Sequence, residues 1–348
     1  MNKKEVIAVV FTAAIVGGHE LMTIAHLNKF RNKGFRFACF VPSDNIALKK
    51  ILTDHNISYE NHEVLHKKFE ILHSTFNYPF RKKAKELLVS LKGKHKTIIL
   101  VQGDIELGSV FVNTSKAAGV KNLVSYIPYA HSFRLMGSKL GWLKDILSKF
   151  VYKKCKNYIT ISKVFAEQIS LKNKNAKVRV LHNFSSKLPI EYIRGKGYIY
   201  KKDENKFTIL MAGRVSFRQK GQDILLQALN SISTSKEIVL KVIGDGPDLE
   251  KLKTITECSR NNIRVNYYGW QPNVWEYSKD VDLITLPSRF EGVPLLMLEA
   301  KQANIPIIAP ARDGMIDFLP PTNLYEPGSR DSEAAALAKK IQTIINNH

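Results

Sequence analysis

The strongest constraint on the fold of this chain is an alternation, repeated along both halves, of short apolar runs with longer amphipathic segments. Short apolar runs bounded by turn residues are typical of buried parallel strands, and the segments between them are typical of helices that cover a sheet. The pattern therefore predicts an α/β protein with strands at residues 6–11, 35–41, 97–102, 123–126, 158–161 and 178–181 in the first half, and 207–211, 239–243, 265–268, 282–286 and 305–309 in the second.

The length of 348 residues exceeds that of one ordinary core and suits two domains. The boundary is predicted where the alternation stops, in an irregular stretch that carries Pro189, Gly195, Gly197 and a polar run. We therefore expect two Rossmann-like domains, a linker between them, and a last helix that packs back across the molecule, with bounds 1–184, 185–206, 207–332 and 333–348 in that order.

Positive charge is concentrated in the first half of the chain. The formal net charge is +22, and residues 1–183 contain 31 Lys and Arg against 12 Asp and Glu. A field of this kind attracts polyanions or an anionic membrane surface, and it does not distinguish between them.

The cysteines and the hydropathy restrict the cellular setting. Cys39, Cys155 and Cys258 are far apart with no paired spacing, which argues against a disulfide framework or a thiolate metal site and for a reducing compartment. No run of about eighteen apolar residues predicts a membrane-spanning helix. The expected location is cytoplasmic.

Two carboxylates surround a predicted helix start in the second half. The strand 282–286 is followed by a loop that carries Glu291, and a helix is expected from Pro294 to about Ala303. Glu299 lies on the apolar side of this helix, where a free carboxylate is costly to desolvate, so a hydrogen-bond donor should be near it. The alternative is that Glu291 complements the helix dipole and Glu299 is a solvated acid.

The loop after strand 207–211 has the composition of a diphosphate site. Gly213 and Arg214 precede Lys220 and Gly221, and an apolar helix follows. Backbone amides at a helix start and cationic side chains can converge on one anion, and the glycines permit a close backbone approach.

Further glycine turns follow the next two strands. Gly244-Asp245-Gly246-Pro247 begins a dinucleotide-binding pattern, but Leu249 stands where the third glycine should be, so a nicotinamide site is not expected. Gly269-Trp270 ends the strand 265–268. These loops all follow strand carboxyl ends, where ligands bind in open parallel sheets.

Together these motifs resemble the retaining glycosyltransferases of family 4, over nearly the whole chain. The family has the GT-B architecture, in which two Rossmann-like parallel-sheet domains face each other across a cleft. The residues that carry the resemblance are Gly213-Arg214, Lys220-Gly221, Gly244-Asp245-Gly246-Pro247, Gly269, Pro287-Ser288, the pair Glu291 and Glu299, Gly17-Gly18-His19-Glu20 and Asn183.

The resemblance implies roles for individual residues. Arg214 and Lys220 would bind the diphosphate of a nucleotide-sugar donor, Glu299 the ribose hydroxyls, and Glu291 the transferred sugar. The full set of donor-binding residues that it implies is Gly17, Gly18, Gly213, Arg214, Lys220, Gly244, Gly269, Trp270, Glu291, Gly292, Val293 and Glu299.

The catalytic residues implied in the same way are His131, Arg214, Lys220 and Glu291. His131 matches a histidine that often lines the cleft in this family, and its alternative is a satisfied histidine beside a strand end. The implied reaction moves a hexose-type sugar from a UDP- or GDP-sugar to a glycan or lipid-linked acceptor, in polysaccharide or lipopolysaccharide synthesis. The resemblance implies no metal and no cofactor beyond the donor.

Two segments depart from the family pattern. Asn183 is followed by Phe184 where a glycine is usual, and residues 312–317 replace the usual double glycine and glutamate. These departures concern the detail of the site and leave the class unchanged.

Other motifs suggest different chemistry. His62-Glu63-Val64-Leu65-His66 matches the zinc-peptidase pattern, but it follows a strand-like segment and lacks the third ligand at the extended spacing. Asp280-Val281-Asp282 resembles a metal-binding Asp-x-Asp, and its place at a strand start favours a structural role.

Residues 139–156 predict a basic amphipathic helix, which would either pack on its own domain or lie on a membrane surface. Two further alternatives are a basic nucleic-acid-binding protein and a GT-B epimerase or phosphorylase. No helix-turn-helix, zinc-finger or RNA-recognition motif supports the former, so no nucleic acid is expected as a partner.

Overall fold

The computed structural model describes residues 5–347. The chain forms two compact units, Met1–Asn183 and Phe184–His348. Residues 1–4 and 348, at the outer ends of the predicted segments 1–184 and 333–348, lie outside the described residues.

The first unit contains a seven-stranded sheet whose strands are all parallel, in the order β3-β2-β1-β4-β5-β6-β7. The central strands are apolar and buried, with Ala8 to Phe11 of β1 at most 1% exposed. The strands are β1 (Val6–Phe11), β2 (Arg36–Pro42), β3 (Tyr59–His62), β4 (Ile98–Val101), β5 (Leu123–Tyr126), β6 (Asn157–Thr160) and β7 (Lys177–Val180).

The helices of the first unit begin at polar caps in three places. The side chain of Asn45 accepts from Leu48 N at 3.0 Å, that of Asn77 from Phe80 N at 3.1 Å and that of Ser162 from Phe165 N at 3.2 Å. The helices are α1 (Gly18–Arg31), α2 (Ile46–Asp54), α3 (Glu70–Phe76), α4 (Tyr78–Lys94), α5 (Ser109–Ser115), α6 (Gly141–Lys154) and α7 (Lys163–Lys172).

The second unit contains a six-stranded parallel sheet in the order β10-β9-β8-β11-β12-β13. Its strands are β8 (Lys206–Ala212), β9 (Glu237–Ile243), β10 (Ile263–Tyr267), β11 (Leu283–Thr285), β12 (Ile307–Pro310) and β13 (Leu324–Tyr325). Its helices are α8 (Phe217–Lys220), α9 (Gln222–Ser231), α10 (Leu249–Glu257), α11 (Leu295–Ala303), α12 (Met315–Phe318) and α13 (Arg330–Asn346), with short 3₁₀ helices at Ile190–Tyr192, Val274–Tyr277 and Pro321–Asn323.

The predicted fold class of two parallel-sheet α/β domains is confirmed by these two sheets. Two edge strands are absent from the predicted list, β3 and β13, although the segment before His62 was described as strand-like. β3 is half polar because its residues Glu60 and Asn61 are exposed, and β13 has only two residues. An edge strand pairs on one side only, so it needs no continuous apolar run.

The segment at 185–206 belongs to the second unit and is bonded to its helices and strands. Arg194 N donates to Ala303 O at 3.0 Å, and Leu188 N donates to the Gln302 side chain at 3.2 Å. Tyr200 hydrogen-bonds to Asp282. These contacts fix much of the segment that the sequence marks only as irregular.

The last helix, α13, packs within the second unit. Leu337, Ile341 and Ile345 on α13 are at most 4% exposed and belong to the same core cluster as residues of α9, against which α13 packs. The packing of this segment back across the rest of the molecule stays a prediction, because these contacts all lie within the second unit.

The histidine His26 on α1 makes the stability of the first unit depend on pH. It is 4% exposed, and burial lowers its pKa to about 4, with a smaller contribution from repulsion by Lys29. An unfolded histidine has a pKa of about 6.5. The unfolded chain therefore takes up the proton first as pH falls, and stability is lost between about pH 6.5 and 4.

We predict that His26→Phe, which keeps a ring at this position, flattens the pH dependence. Between pH 7 and pH 4, the wild type should lose roughly 1–3 kcal/mol more unfolding free energy than the variant. Urea titrations at several pH values measure this, with exposed His55→Phe as the matched control. Equal slopes for the wild type and His26→Phe would contradict the assignment.

Candidate functional site

Three glycine turns meet at the carboxyl edge of the second sheet. Gly213 follows β8, Gly244 follows β9 and Gly269 follows β10, and Gly244 N donates to Gly269 O at 2.6 Å. Gly213 and Gly244 have φ of +143° and +136°, and a Cβ on Gly244 would lie 2.0 Å from Gly213 O. A side chain at Gly244 is therefore excluded both by the conformation and by space.

Lys220 and Glu291 are in direct contact at the same edge. Lys220 is the last residue of α8, and its ammonium group forms an ion pair with Glu291 Oε1, which also accepts from Ser288 Oγ at 2.9 Å. The side chains are 20% and 9% exposed. The structure thus brings together two of the predicted site residues, and the aliphatic stem of Lys220 passes close to Gly213.

Arg214, which follows Gly213, offers a further cation in the loop after β8. It is exposed, its carbonyl oxygen accepts from Gln222 Nε2 at 3.1 Å, and its guanidinium group has no partner among residues 5–347. Such a group is available for an anion from solution, and guanidinium matches phosphate geometry well.

The backbone around Glu291 is held by a residue that the sequence reasoning did not select. Asp313 adopts φ of +53°, and its carboxylate accepts from Glu291 N at 2.8 Å. Gly314 N donates to Gly292 O at 3.2 Å, and a Cβ on Gly314 would lie 2.3 Å from that oxygen. The sequence did mark this place, because Asp313 lies in the segment 312–317 that departs from the family pattern.

Helix α11 begins next to Glu291. Pro294 is its cap, with Leu295 as the first helical residue, so the expected start at Pro294 was one residue early. Within the described part of the chain, the amides of Gly292 and Val293 donate to no acceptor. Free amides before a helix start favour a negatively polarised ligand group.

Glu299 has the hydrogen-bond donor that its apolar position requires. Trp275 Nε1 donates to Glu299 Oε2 at 3.1 Å. Burial raises the pKa of Glu299, and the bond from Trp275 partly opposes that shift. Trp275 is 5% exposed and was missed, whereas the predicted Trp270 is 73% exposed. Sequence alone does not tell which of two nearby tryptophans turns inwards.

Arg289 connects α8 to the loop that carries Glu291. Its guanidinium group donates to both oxygens of Asp223, at 2.9 and 2.8 Å, and to Phe217 O, while its amide donates to Gln219 O at 2.8 Å. The Asp223 carboxylate raises the pKa of Arg289. Arg289 therefore keeps Lys220 next to Glu291, and neither Arg289 nor Asp223 was predicted.

The remaining predicted residues lie in the first unit. Gly17 and Gly18 stand between β1 and α1, and Gly17 N donates to Glu20 Oε2 at 2.8 Å. Burial raises the pKa of Glu20, and the bond from Gly17 opposes this. His131 follows β5, is 7% exposed and packs on two aromatic rings, with centroids 5.1 Å from Tyr129 and 5.2 Å from Phe165.

The zinc-peptidase motif does not form a metal site. His62 ends β3 and its Nε2 lies 2.9 Å from Phe11 O, whereas His66 Nδ1 lies 3.1 Å from Glu70 Oε2. The two rings are therefore not on one helix face. Across residues 5–347, no group of three or more His, Cys, Asp or Glu side chains could hold a metal ion.

The Asp-x-Asp motif makes contacts within the protein. Asp280 Oδ1 lies 2.5 Å from Lys241 Nζ, and Asp282 Oδ2 accepts from Thr208 N at 2.6 Å. These bonds support the structural interpretation. Among the described helices, none is both long and apolar enough to cross a bilayer.

Comparisons with known proteins find similarity to glycosyltransferases. Residues 198–348 match the family model of the glycosyl transferases group 1. The chain is 35% identical to the lipopolysaccharide 1,6-galactosyltransferase of Escherichia coli over 143 residues. The matched stretch covers 38% of this chain and 39% of that protein. The chain thus matches about two fifths of the length of this relative.

Two solved structures share the fold over most of their length. The lipopolysaccharide outer core galactosyltransferase WaaB has a TM-score of 0.73 at 22% identity, over 98% of this chain and 91% of that chain. HepE of Anabaena, in complex with UDP-glucose, has a TM-score of 0.65 at 16% identity, over 99% and 95%. At these identities the likeness concerns the fold, which is that of the GT-B glycosyltransferases.

The close approach of Gly221 to the loop after β11 provides a test of how the site is held. Gly221 has φ of +67°, and a Cβ there would lie 2.0 Å from Pro287 O. We predict that Gly221→Ala lowers the unfolding free energy by at least about 2 kcal/mol, because the left-handed conformation and the overlap both oppose a side chain. Urea unfolding measures the loss.

The matched control is Gly93→Ala in α4, where a Cβ meets nothing within 4 Å. This substitution should raise the unfolding free energy by about 0.5–1 kcal/mol, since alanine favours the helix. Equal effects of the two substitutions would show that the contact between Gly221 and Pro287 is not tight.

Proposed function

We propose that this protein is a retaining glycosyltransferase that moves a hexose-type sugar from a UDP- or GDP-sugar to a glycan or lipid-linked acceptor, in the synthesis of a cell-surface polysaccharide or lipopolysaccharide. The observation that carries the proposal is the contact between Lys220 and Glu291, with the unpaired guanidinium of Arg214 nearby. Cationic side chains form strong hydrogen bonds to the oxygens of a diphosphate, and a carboxylate accepts hydrogen bonds from sugar hydroxyls.

The donor would be held by groups from the loops after β8 and β11 and from helix α11. Lys220 has three N–H donors, so it can keep Glu291 and still bind a phosphate oxygen. Arg214 takes the other side of the diphosphate, and the amides of Gly292 and Val293 face the sugar. Glu299, fixed by Trp275, accepts hydrogen bonds from the ribose hydroxyls.

The reaction would break the bond between the anomeric carbon and the diphosphate oxygen and form a bond from that carbon to the acceptor oxygen. The acceptor hydroxyl proton passes to the departing diphosphate, so no protein nucleophile is required. Negative charge grows on the diphosphate in the transition state, and the fixed charges of Arg214 and Lys220 stabilise it. Two cations in that place supply the charge that a metal ion would otherwise provide, so we propose metal-independent transfer.

The comparisons support the donor and acceptor classes. The relative from Escherichia coli is named as a galactosyltransferase of lipopolysaccharide, and HepE binds UDP-glucose in the same fold. The test is turnover with a panel of UDP- and GDP-sugars, followed by NMR of the new linkage. A product with the anomeric configuration of the donor is expected, and an inverted product would refute retention.

We also propose that the first unit lies on the cytoplasmic face of an anionic membrane. Helix α6 turns Lys144, Ser148, Val151 and Tyr152 inwards, and Lys144 pairs with Glu106 at 2.5 Å. Three other apolar residues of α6 point outwards, with exposed fractions of 56% for Trp142, 48% for Ile146 and 60% for Phe150.

Cations surround this outward stripe, which consists of Trp142, Ile146 and Phe150. Lys139, Lys149 and Lys153 are exposed beside it. Lys154, at the end of α6, is also exposed. Burial lowers the pKa of Lys154, and repulsion from Arg81 of α4 lowers it further, so these two cations are close together. An exposed apolar stripe with a basic border is typical of helices that insert into the interface of anionic membranes. A lipid-linked acceptor would be reached from such a position.

Arg214→Ala tests the diphosphate role with little effect on the fold, because the side chain is exposed and its guanidinium is unpaired within residues 5–347. We predict about a hundredfold lower kcat, as expected for the loss of one fixed donor worth about 3 kcal/mol. Lys220→Ala should lower transfer at least about tenfold for the same reason and should also lower stability, since Glu291 loses a partner.

The control is Arg264→Ala, which removes an exposed arginine on β10. Donor turnover in each variant is compared with its urea unfolding midpoint. Wild-type turnover in Arg214→Ala and in Lys220→Ala would refute the assignment of the diphosphate site.

The membrane proposal predicts that replacing the three residues of the outward stripe by serine lowers binding to phosphatidylglycerol vesicles at least about tenfold. Each substitution removes apolar surface that would be buried in the membrane on binding. Exposed apolar residues elsewhere, Leu171 and Ile199, provide the control as Leu171→Ser with Ile199→Ser. Co-sedimentation at low and high salt is the measurement. Vesicle binding that is absent in the wild type, or that is insensitive to salt, would contradict the proposal.

A further inference from the structure

An open groove runs along the exposed side of α4 in the first unit, and its volume is about 580 Å³. Residues of α4 form one wall, and Thr114 of α5 lies opposite them with Ala117, which follows that helix. Helix α5 has only seven residues, and Ala117 contributes a single methyl group. The groove therefore stays open on the side away from α4.

Three cations of α4 line this groove against one carboxylate, Glu86. Lys82 and Glu86 are 3.9 Å apart and 62% and 63% exposed, so water screens their attraction. Arg81 Nη1 donates to a neutral acceptor, Thr75 O, at 3.1 Å. Lys85 is exposed, and its ammonium group has no partner among residues 5–347. With Glu86 counted in full, the lining still has two positive charges in excess.

The acids of the neighbouring elements do not reverse this balance. Residues 70–154, which span α3 to α6, contain 15 Lys and Arg against 5 Asp and Glu. The five acids are Glu70, Glu86, Asp104, Glu106 and Asp145. The positive excess remains when every one of these carboxylates is counted as charged. Like charges held together by the fold repel one another, and a bound anion lowers that repulsion.

Exposed aromatic rings border the groove at the start of α4. Tyr78 lines the groove and is 72% exposed, and Phe76, two residues before it, is 79% exposed. Burial of such rings against lipid is favourable, whereas a small soluble anion leaves them in water. Aromatic residues beside cations are typical of protein surfaces at the headgroup level of a bilayer. The border therefore favours the phosphate of a lipid over a free phosphate.

The groove lies in the same helical layer as the outward stripe of α6. Helix α5 contacts both α4 and α6, and Lys154 Nζ of α6 donates to Asn113 Oδ1 of α5 at 2.8 Å. Residues of all three helices belong to one core cluster, among them Ala84, Val110 and Val151. The exposed sides of α4 and α6 both face away from that core, so one bilayer can contact both.

We propose that the groove along α4 binds the phosphate of an anionic phospholipid headgroup, with Arg81 and Lys85 as donors and with Phe76 and Tyr78 next to the acyl chains. The proposal rests on the membrane position proposed for the first unit and adds a defined headgroup site to it. Arg81 and Lys85 are one helical turn apart, so both reach one phosphate. The guanidinium group offers paired N–H donors, and the ammonium group adds a second charge.

The first test is co-sedimentation of the full chain with vesicles of phosphatidylglycerol and phosphatidylcholine. Arg81→Gln with Lys85→Gln should lower the affinity for phosphatidylglycerol vesicles at least about tenfold, because each cation near an anionic surface contributes substantially. Arg81→Lys with Lys85→Arg keeps both charges and should stay within about threefold of the wild type. Affinity for pure phosphatidylcholine should be weak in all of these proteins.

The matched control is Arg31→Gln with Lys50→Gln, which removes the same two charges from α1 and α2, outside the groove. Both residues are exposed, and Arg31, like Arg81, donates to a backbone oxygen, that of His55 at 3.5 Å. This pair should lower the affinity for phosphatidylglycerol vesicles by less than about threefold, since charges far from the lipid surface are screened.

The second test is an NMR titration with dihexanoyl phosphatidylglycerol below its micelle concentration, where no bilayer is present. A headgroup site predicts saturable shifts of the Thr114 and Ala117 amides in the wild type and their loss in Arg81→Gln with Lys85→Gln. Such shifts in a wild type that binds no vesicles would support the headgroup site and contradict the membrane position of α6.

Three results would overturn the headgroup site. The first is equal vesicle affinity of the α4 pair and the control pair, which would leave the membrane position of α6 intact. The second is the absence of amide shifts at Thr114 and Ala117 in the wild type. The third is release of the protein from vesicles by single-stranded DNA at an equal phosphate concentration, which would identify nucleic acid as the occupant.

Discussion

The candidate site of the second unit depends on the contact between Lys220 and Glu291, two residues 71 positions apart in sequence. The contact requires that α8 ends where the loop after β11 passes. Gly221 permits this, because its left-handed conformation and missing side chain let the chain come against Pro287 O. A larger residue would separate the two loops and with them the ammonium and the carboxylate.

Charges behind the loop hold this arrangement in place. Arg289 bonds to Asp223 and Phe217 O, and Arg312 donates to Arg289 O at 2.8 Å while pairing with Glu333 of α13. Partly buried ion pairs of this kind add little net stability, because desolvation offsets attraction. Their effect is to limit the conformations of the loop, so that Glu291 and the amides that follow it are already in place before a ligand arrives.

The strands and loops of the site could be read from sequence because short apolar runs followed by glycines report both a buried strand and the turn at its carboxyl end. Contacts set by packing between distant segments could not. The need of Glu299 for a donor was predictable from its apolar surroundings, but the choice of Trp275 over Trp270 depends on the path of the chain after β10. Helix α6 was predicted as amphipathic, yet its inward face includes Lys144, because Glu106 pairs with that lysine, and three large apolar residues, Trp142, Ile146 and Phe150, are exposed.

The most direct test of the account is a crystal structure of the protein with a bound UDP-sugar. The account predicts diphosphate oxygens within about 3 Å of Lys220 Nζ and of the Arg214 guanidinium, with the ribose hydroxyls on Glu299. A nucleotide bound at another place in the chain, or a diphosphate that touches neither cation, would contradict it.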